Sequence, residues 1–483
     1  MLLVDAGTGP VDKEANTMTT DKLIETTEES EIVGALRAAL RGEVIDRSHP
    51  DYESARRVWN GLIDRRPAVI ARCADTADVV EAVRVARTHR PVLSVRGGGH
   101  QVAGSAVCND GLMIDLSAMK GVHVNPSART VRAQAGATWG DVDRATQLFG
   151  LVTPGGEVSE TGIAGLTLGG GMGVLMRAHG LSCDNLRSIE MVTADGAVRT
   201  ASREEHTDLF WAARGGGRGL GVVTSFEFDL HPLGPQVAMA QVLYPYADAG
   251  KVLRAWRDLT PQLPNTVTPQ LVLWSIPPDP AIPAEMHGSQ VVMVAGVYAG
   301  APGDASAALA PLTRLGTPLV DMSGTVDYLD VQTGVDAAFP SGGRYFFKSH
   351  FVDALTDHAI EALLDCDANR PTPESLIVIR TLGGSVSTVG EDESAYPHRG
   401  AQYNVSFDAV WSDPALDVAA IGWSRSSWDA MRPFATGGVY LNFAGLDHEA
   451  DRSAVYGSGA ERLDRIRNAY DPHGIFTAAA DRP

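Results

Sequence analysis

The chain has 483 residues, 44% of them hydrophobic, and carries a formal net charge of −19 with an isoelectric point near 5.1. That much apolar sequence can fill more than one core, so two domains are expected. The acidic balance excludes duplex nucleic acid and anionic membrane as main partners, because both are held by clustered Lys and Arg, and leaves small-molecule chemistry as the expectation.

Residues 1–30 (MLLVDAGTGPVDKEANTMTTDKLIETTEES) are acidic and polar after three apolar residues, which is not a secretory signal. They read as a disordered tail, with synthesis from Met18 as the alternative. No segment reaches transmembrane length. The four cysteines, Cys73, Cys108, Cys183 and Cys366, form no CxxC pair, so neither a zinc ribbon nor a disulfide framework is indicated and a cytoplasmic location is expected.

From Ile32 the pattern is globular. Asp75 to Arg87 places Val79, Val80, Val83 and Ala86 at helical spacing behind an acidic start. PVLSV follows as a strand before glycine. LMIDL, GVHV and TVRAQ read as further strands, and Thr138 to Phe149 returns to helical spacing. Asp195-Gly196, between IEMVTA and AVRTAS, suggests a hairpin closed by a two-residue turn. After Leu230 Pro and Gly become frequent, and QLVLW and VVMVAGVYA read as strands of a second unit.

Glycine separates this chain from a generic mixed protein. Three runs occur: Arg96-Gly97-Gly98-Gly99-His100, Gly165 to Gly173 (GLTLGGGMG) and Arg214 to Gly221 (RGGGRGLG). Consecutive glycines let backbone N–H groups approach an anion, so such loops can cradle a diphosphate. Any one run alone reads more readily as a tight turn, but three runs within about 125 residues are harder to read so. The GxGxxG, GxxxxGK[ST], GxSxG and HExxH patterns are absent, which removes the nicotinamide Rossmann, P-loop, serine hydrolase and zincin readings.

SVRGGGHQVAG, TGIAGLTLGGGMGVLMRAHGLSCDNL, DLFWAARGGGRGLGVVTSFEF and YDPHGIF together resemble the berberine bridge enzyme-like branch of the vanillyl-alcohol-oxidase flavoproteins, over residues 45–235 and again over 380–483. The resemblance implies an α+β fold: a two-subdomain PCMH-type FAD-binding domain at 31–235, a substrate domain at 236–430 with an antiparallel sheet covered by helices, and a segment at 431–483 that returns to the FAD domain. It also implies the cofactor. His100 matches the histidine joined covalently to the 8α-methyl of FAD, and Arg96, Gly97, Gly98 and Gly99 match the pyrophosphate loop, with Gln101 and Ser105 beyond it. A second link, through cysteine, occurs in some members; Val158 holds that position here, so a single histidyl link is expected.

By the same resemblance, Thr161, Gly162, Gly169, Gly170 and Gly173 would line the isoalloxazine and ribityl path, Asp184 and Asn185 would be polar neighbours of the cofactor, and Gly221 and Val223 would touch the ring through their backbones. Tyr440-Leu441-Asn442-Phe443 is similar to the family's Tyr-x-Asn-Tyr segment, although Phe443 departs from it. Tyr440 is therefore the expected base, with Asn442 on the cofactor; a core aromatic is the alternative. A phenol that ionises only near pH 10 needs a stabilising charge, and Arg380 is the candidate. Members often carry an acid or tyrosine on the strand that runs into a Gly-Gly pair. Here that strand, Leu376 to Leu382, offers Arg380 and no carboxylate, which argues against a sugar oxidase. Tyr396, His398, Arg399 and Tyr403 are further pocket candidates, or else a surface loop. The expected reaction is hydride removal from an alcohol or amine, a secondary metabolite, to flavin N5, with O2 reoxidising the flavin to give H2O2. Flavin-dependent oxygenation of a polyketide-like substrate, and FAD or ligand binding without turnover, are the alternatives.

Overall fold

A computed structural model describes residues 29–278, 282–444 and 452–476; most of the expected N-terminal tail, and the Met18 alternative with it, lies outside the described residues. The first unit opens with a four-stranded sheet in the order Glu43–Asp46, Val69–Arg72, Leu112–Asp115, Leu93–Arg96. Its last three strands are parallel, and Thr76–His89 is the helix that joins two of them. That helix forms because Asp75 caps it, its carboxylate accepting from the N–H groups of Ala77 and Asp78, and because Val79, Ala82, Val83 and Ala86 fall on one buried stripe. A five-stranded antiparallel sheet follows, in the order Val122–Asn125, Thr130–Gln134, Val222–Asp229, Leu186–Val192, Val198–Ser202. The helix lies between the two sheets, which share one core with it.

The hairpin expected around Asp195-Gly196 exists, but its loop is longer than two residues. The Thr193 N–H still donates to the Ala197 carbonyl at 3.1 Å, and the three residues Ala194 to Gly196 turn the chain, with the Asp195 carboxylate accepting from the Thr193 hydroxyl and the Ala197 N–H. Side-chain hydrogen bonds of this kind compete with the tight turn that Asp-Gly alone would specify.

The third sheet has eight antiparallel strands, among them Gln236–Pro245, Gln290–Tyr298, Val267–Ser275, Leu376–Thr381, Tyr403–Trp411 and Arg344–Val352 as successive neighbours. Its residues alternate between two faces, as the pleat requires. Leu271, Leu273, Ile377, Ile379, Val405 and Phe407 pack beneath the helices Ala249–Leu259, Asp357–Ala368 and Asp417–Met431. Val272, Tyr345, Phe347, Leu376, Val378 and Val410 face the other way, toward the first unit. The last helix among the described residues is Ala460–Tyr470, whose Leu463 and Ile466 return to the first core.

One polar group in the seam between the units is unusual. Asp143, on the helix Trp139–Gln147, is fully buried, and neither carboxylate oxygen has a partner among the described residues. Burial alone pushes its pKa well above the ordinary carboxylate range. The helix Tyr328–Thr333, which hangs from the third sheet, packs on this same helix.

Candidate functional site

A cavity of about 810 Å³ lies between the first unit and the third sheet, and all three glycine runs reach it. The first and second runs meet back to back. A Cβ on Gly98 would sit 2.5 Å from the Gly162 Cα, and one on Gly162 would sit 2.4 Å from the Gly98 nitrogen, so both positions exclude any side chain. Gly169 is bare for another reason: a Cβ there would lie 2.0 Å from the Asn442 side-chain oxygen. The third run is tied to the second, since the N–H groups of Gly215 and Gly217 both donate to the Leu168 carbonyl, at 3.1 and 2.8 Å.

Of the residues expected at a cofactor, Gly97, Gly98, Gly99, His100, Gln101, Ser105, Thr161, Gly162, Gly169, Gly221, Val223, Tyr440 and Asn442 line this cavity, as do Arg380 and Val158. Five others do not, and each has a structural reason. Arg96 turns away to form a bidentate pair with buried Asp115 (Nε to Oδ1 2.9 Å) and to donate to the carbonyls of Ala55 and Arg57. Gly170 lies against the Tyr396 ring and Gly173 against the Gly155 carbonyl. Asp184 pairs with Arg399 at 2.7 Å, and Asn185 donates to the carbonyls of His179 and Leu181. The Tyr396 to Tyr403 candidates form neither the pocket nor a surface loop. Tyr396, Arg399 and Tyr403 are buried in protein, the Tyr403 hydroxyl meets that of Thr260, and His398 bonds the Ala454 carbonyl.

His100 sits on the cavity wall with its imidazole stacked on the indole of Trp59, ring centres 4.1 Å apart. Burial lowers its pKa to about 4, so the ring is neutral at physiological pH, and its Nε2 has no partner among the described residues. A neutral imidazole with an unused buried nitrogen, on a residue that lines a glycine-walled cavity, fits a cofactor that packs against it. Gln101 is fixed by donating to the Ala444 carbonyl at 3.0 Å.

Tyr440 and Arg380 are not partners. The Tyr440 oxygen accepts from the N–H groups of Gly171 (3.1 Å) and Met172 (3.0 Å) and from the Asn442 amide (2.9 Å). These donors favour a phenolate, but burial outweighs them and the pKa stays above the ordinary tyrosine value. Arg380 instead pairs with Glu157 at 2.9 Å, donates to the Ser406 hydroxyl at 3.0 Å, and lies over the Phe443 ring.

The strand Leu376–Thr381 carries no carboxylate, as expected, but two reach the cavity wall from other segments, Glu157 and Asp408. Asp408 lies in the neighbouring strand Tyr403–Trp411, directly across from Leu376 on one side and Phe347 on the other. Enclosed by these apolar neighbours, its carboxyl is desolvated, and despite the opposing pull of Arg380 and Ser406 its pKa rises to about 7. Its Oδ1 has no partner among the described residues. The sequence signal was available: Asp408 is the lone charged residue in a nine-residue strand that is buried throughout. Trp59 offered no such signal.

The segment at residues 67–202 matches the model of the FAD binding domain family. The chain is 30% identical over 447 residues, covering 91% of itself and 96% of the relative, to an uncharacterized FAD-linked oxidoreductase, YgaK, of Bacillus subtilis. The chain belongs to the FAD-linked oxidoreductases. Among solved structures, this FAD-linked oxidoreductase resembles 6-hydroxy-D-nicotine oxidase from Arthrobacter nicotinovorans (TM-score 0.81, 25% identity, 90% and 96% of the two chains). It also shares the fold of Physcomitrella patens BBE-like 1 (TM-score 0.83, 23% identity, 92% and 97%). The α+β architecture expected from sequence is thus that of the PCMH-type FAD-binding oxidases, with a sheet domain over the flavin domain. No helix among the described residues is long and apolar enough to cross a membrane.

Proposed function

We propose that this FAD-linked oxidoreductase oxidises a flat, largely apolar alcohol or amine, with Asp408 as the proton acceptor, His100 as the single covalent anchor of FAD, and O2 as the final electron acceptor. FAD supplies the two-electron acceptor when bound. For an alcohol, the carbon loses hydride and the hydroxyl loses its proton to Asp408, so that alcohol and O2 leave as carbonyl compound and H2O2.

The observation that carries this reading is Asp408 itself. A carboxyl that titrates near 7, on a residue that lines the cavity and with one oxygen unpartnered among the described residues, can take a proton at physiological pH and return it afterwards. Tyr440 is the weaker base because its oxygen already accepts three N–H groups and would have to release one to receive a substrate proton. We assign it to fixing the second glycine run against the C-terminal segment. Around Asp408 the sheet offers mainly apolar side chains, Val272, Trp274, Met293, Phe347, Leu376 and Val378, with Gln241 and Gln270 as its polar exceptions besides the paired Arg380. A saccharide would lose water from several hydroxyls here and regain few hydrogen bonds, each unmatched one costing about 1–3 kcal/mol. The four free, buried cysteines agree with a reducing, cytoplasmic setting.

The anchor is tested by acid precipitation. Wild-type protein should leave yellow flavin in the pellet, mapping to the peptide that holds His100, and His100→Ala should release all of it. Flavin that washes free of the wild-type pellet sinks the covalent anchor and leaves a dissociable cofactor.

A further inference from the structure

Trp59, Asn60 and Gly61 join the His100 loop to the third sheet. The Trp59 N–H donates to the Gly99 carbonyl at 3.1 Å, and the Trp59 carbonyl accepts from the Gly342 N–H at 2.8 Å. Buried Asn60 donates through Nδ2 to the carbonyls of Val102 (2.7 Å) and Tyr345 (2.9 Å), while its Oδ1 accepts from the Tyr345 N–H. The Gly61 N–H donates to the Gly343 carbonyl at 2.6 Å, and a Cβ on Gly61 would come within 2.2 Å of the Gly342 oxygen. These contacts reach the cofactor loop on one side and, on the other, the strand Arg344–Val352 and the residues that lead into it.

The indole completes the joint. It stacks on His100 with an interplanar angle of 17° and on Tyr345 with ring centres 3.8 Å apart, and its N–H is fixed on the Phe339 carbonyl at 2.9 Å. With His100 Nε2 unpartnered, the stack on the indole and a hydrogen bond to the residue's own backbone are what hold the imidazole in its plane.

We infer that Trp59 is the positioning residue for His100, holding the imidazole in the plane from which its bond to FAD is made, and that the Asn60 and Gly61 contacts tie this plane to the docked sheet. The inference rests on the covalent anchor proposed above. In net terms, one imidazole N–H and one C–H of the 8α-methyl are replaced by an N–C bond, and the two hydrogens leave with their electrons on O2 as H2O2.

The test compares Trp59→Phe, Trp59→Leu and Gly61→Ala with wild type by two readouts: flavin bound to the desalted native protein, and flavin left in the acid pellet. Trp59→Phe keeps a stacking face and should tether as wild type does. Trp59→Leu should bind FAD at near wild-type stoichiometry while its pellet fraction falls at least tenfold. Gly61→Ala leaves the indole in place but forces the joint apart, and should also lower the pellet fraction; it carries the test if the leucine variant does not fold. Full tethering in Trp59→Leu, or in Gly61→Ala where that variant carries the test, overturns the inference and leaves the anchor standing. So does a loss of tethered flavin only in step with total flavin, since that is a general folding effect. Wild-type protein with bound but wholly acid-labile flavin overturns both.

Discussion

Asp408→Asn should lower kcat/KM by about 10²- to 10⁴-fold, the range over which positioned general bases act. The asparagine keeps the shape between Leu376 and Phe347 but cannot take a proton. The pH profile gives the sharper reading. A base must be ionised in the free enzyme, so wild-type kcat/KM should rise with pH below about 7 and level off above it, following the raised pKa of Asp408. In Asp408→Asn this acidic limb should vanish. Tyr440→Phe should behave differently: it strips the acceptor from the Gly171 and Met172 N–H groups, so flavin loading should fall, while the limb near 7 stays. Loss of that limb in Tyr440→Phe, with its retention in Asp408→Asn, would return the role of base to Tyr440.

Asp143→Asn should make the protein more stable, increasingly so as the pH rises. The sign follows from the raised folded-state pKa. Unfolded, the carboxyl gives up its proton near pH 4; folded, with neither oxygen partnered, it holds on. The stability of the wild type is therefore complete below the unfolded value and lost as pH climbs toward the folded one, at about 1.4 kcal/mol per pH unit in that window. Asparagine is neutral at every pH and escapes this loss. Thermal melts at pH 4 and pH 8 should show little difference between the two proteins at the lower value and a variant melting several degrees higher at the upper one. Parallel melting curves at both pH values would mean that Asp143 is hydrated or paired in solution. Because Asp143 sits where the helix Tyr328–Thr333 meets the first unit, alkaline destabilisation of the wild type should begin at that seam.

Much of the first unit was legible from local sequence. The helix Thr76–His89, its Asp75 cap and the short strands around it follow from spacing and turn residues, which act within a few positions of each other. The glycine runs were legible as cradles because a missing side chain is visible in sequence, but which glycines face the cavity was not. Gly98 faces it while Gly173 fills a space against Gly155, and only the packing of distant loops separates the two. The site's charges were the least legible. Arg380 finds Glu157 from 223 positions away, and Asp408 owes its environment to strand register, neither of which local pattern encodes. The hairpin near Asp195 differs from the expectation by one residue, since its turn is closed by the Gly196 N–H on the Thr193 carbonyl and its loop has three residues where the dipeptide suggests two.

The pleat of the third sheet has a consequence for how this enzyme can change. On the strand Leu376–Thr381, Leu376, Val378 and Arg380 face the cavity, while Ile377 and Ile379 hold the helices behind. What the pocket accepts and what keeps the domain folded are thus written on alternate letters of the same strand. A lineage, or a saturation library, can redraw the cavity letters and leave the core letters untouched, so new specificities are reachable in single steps that spare the scaffold.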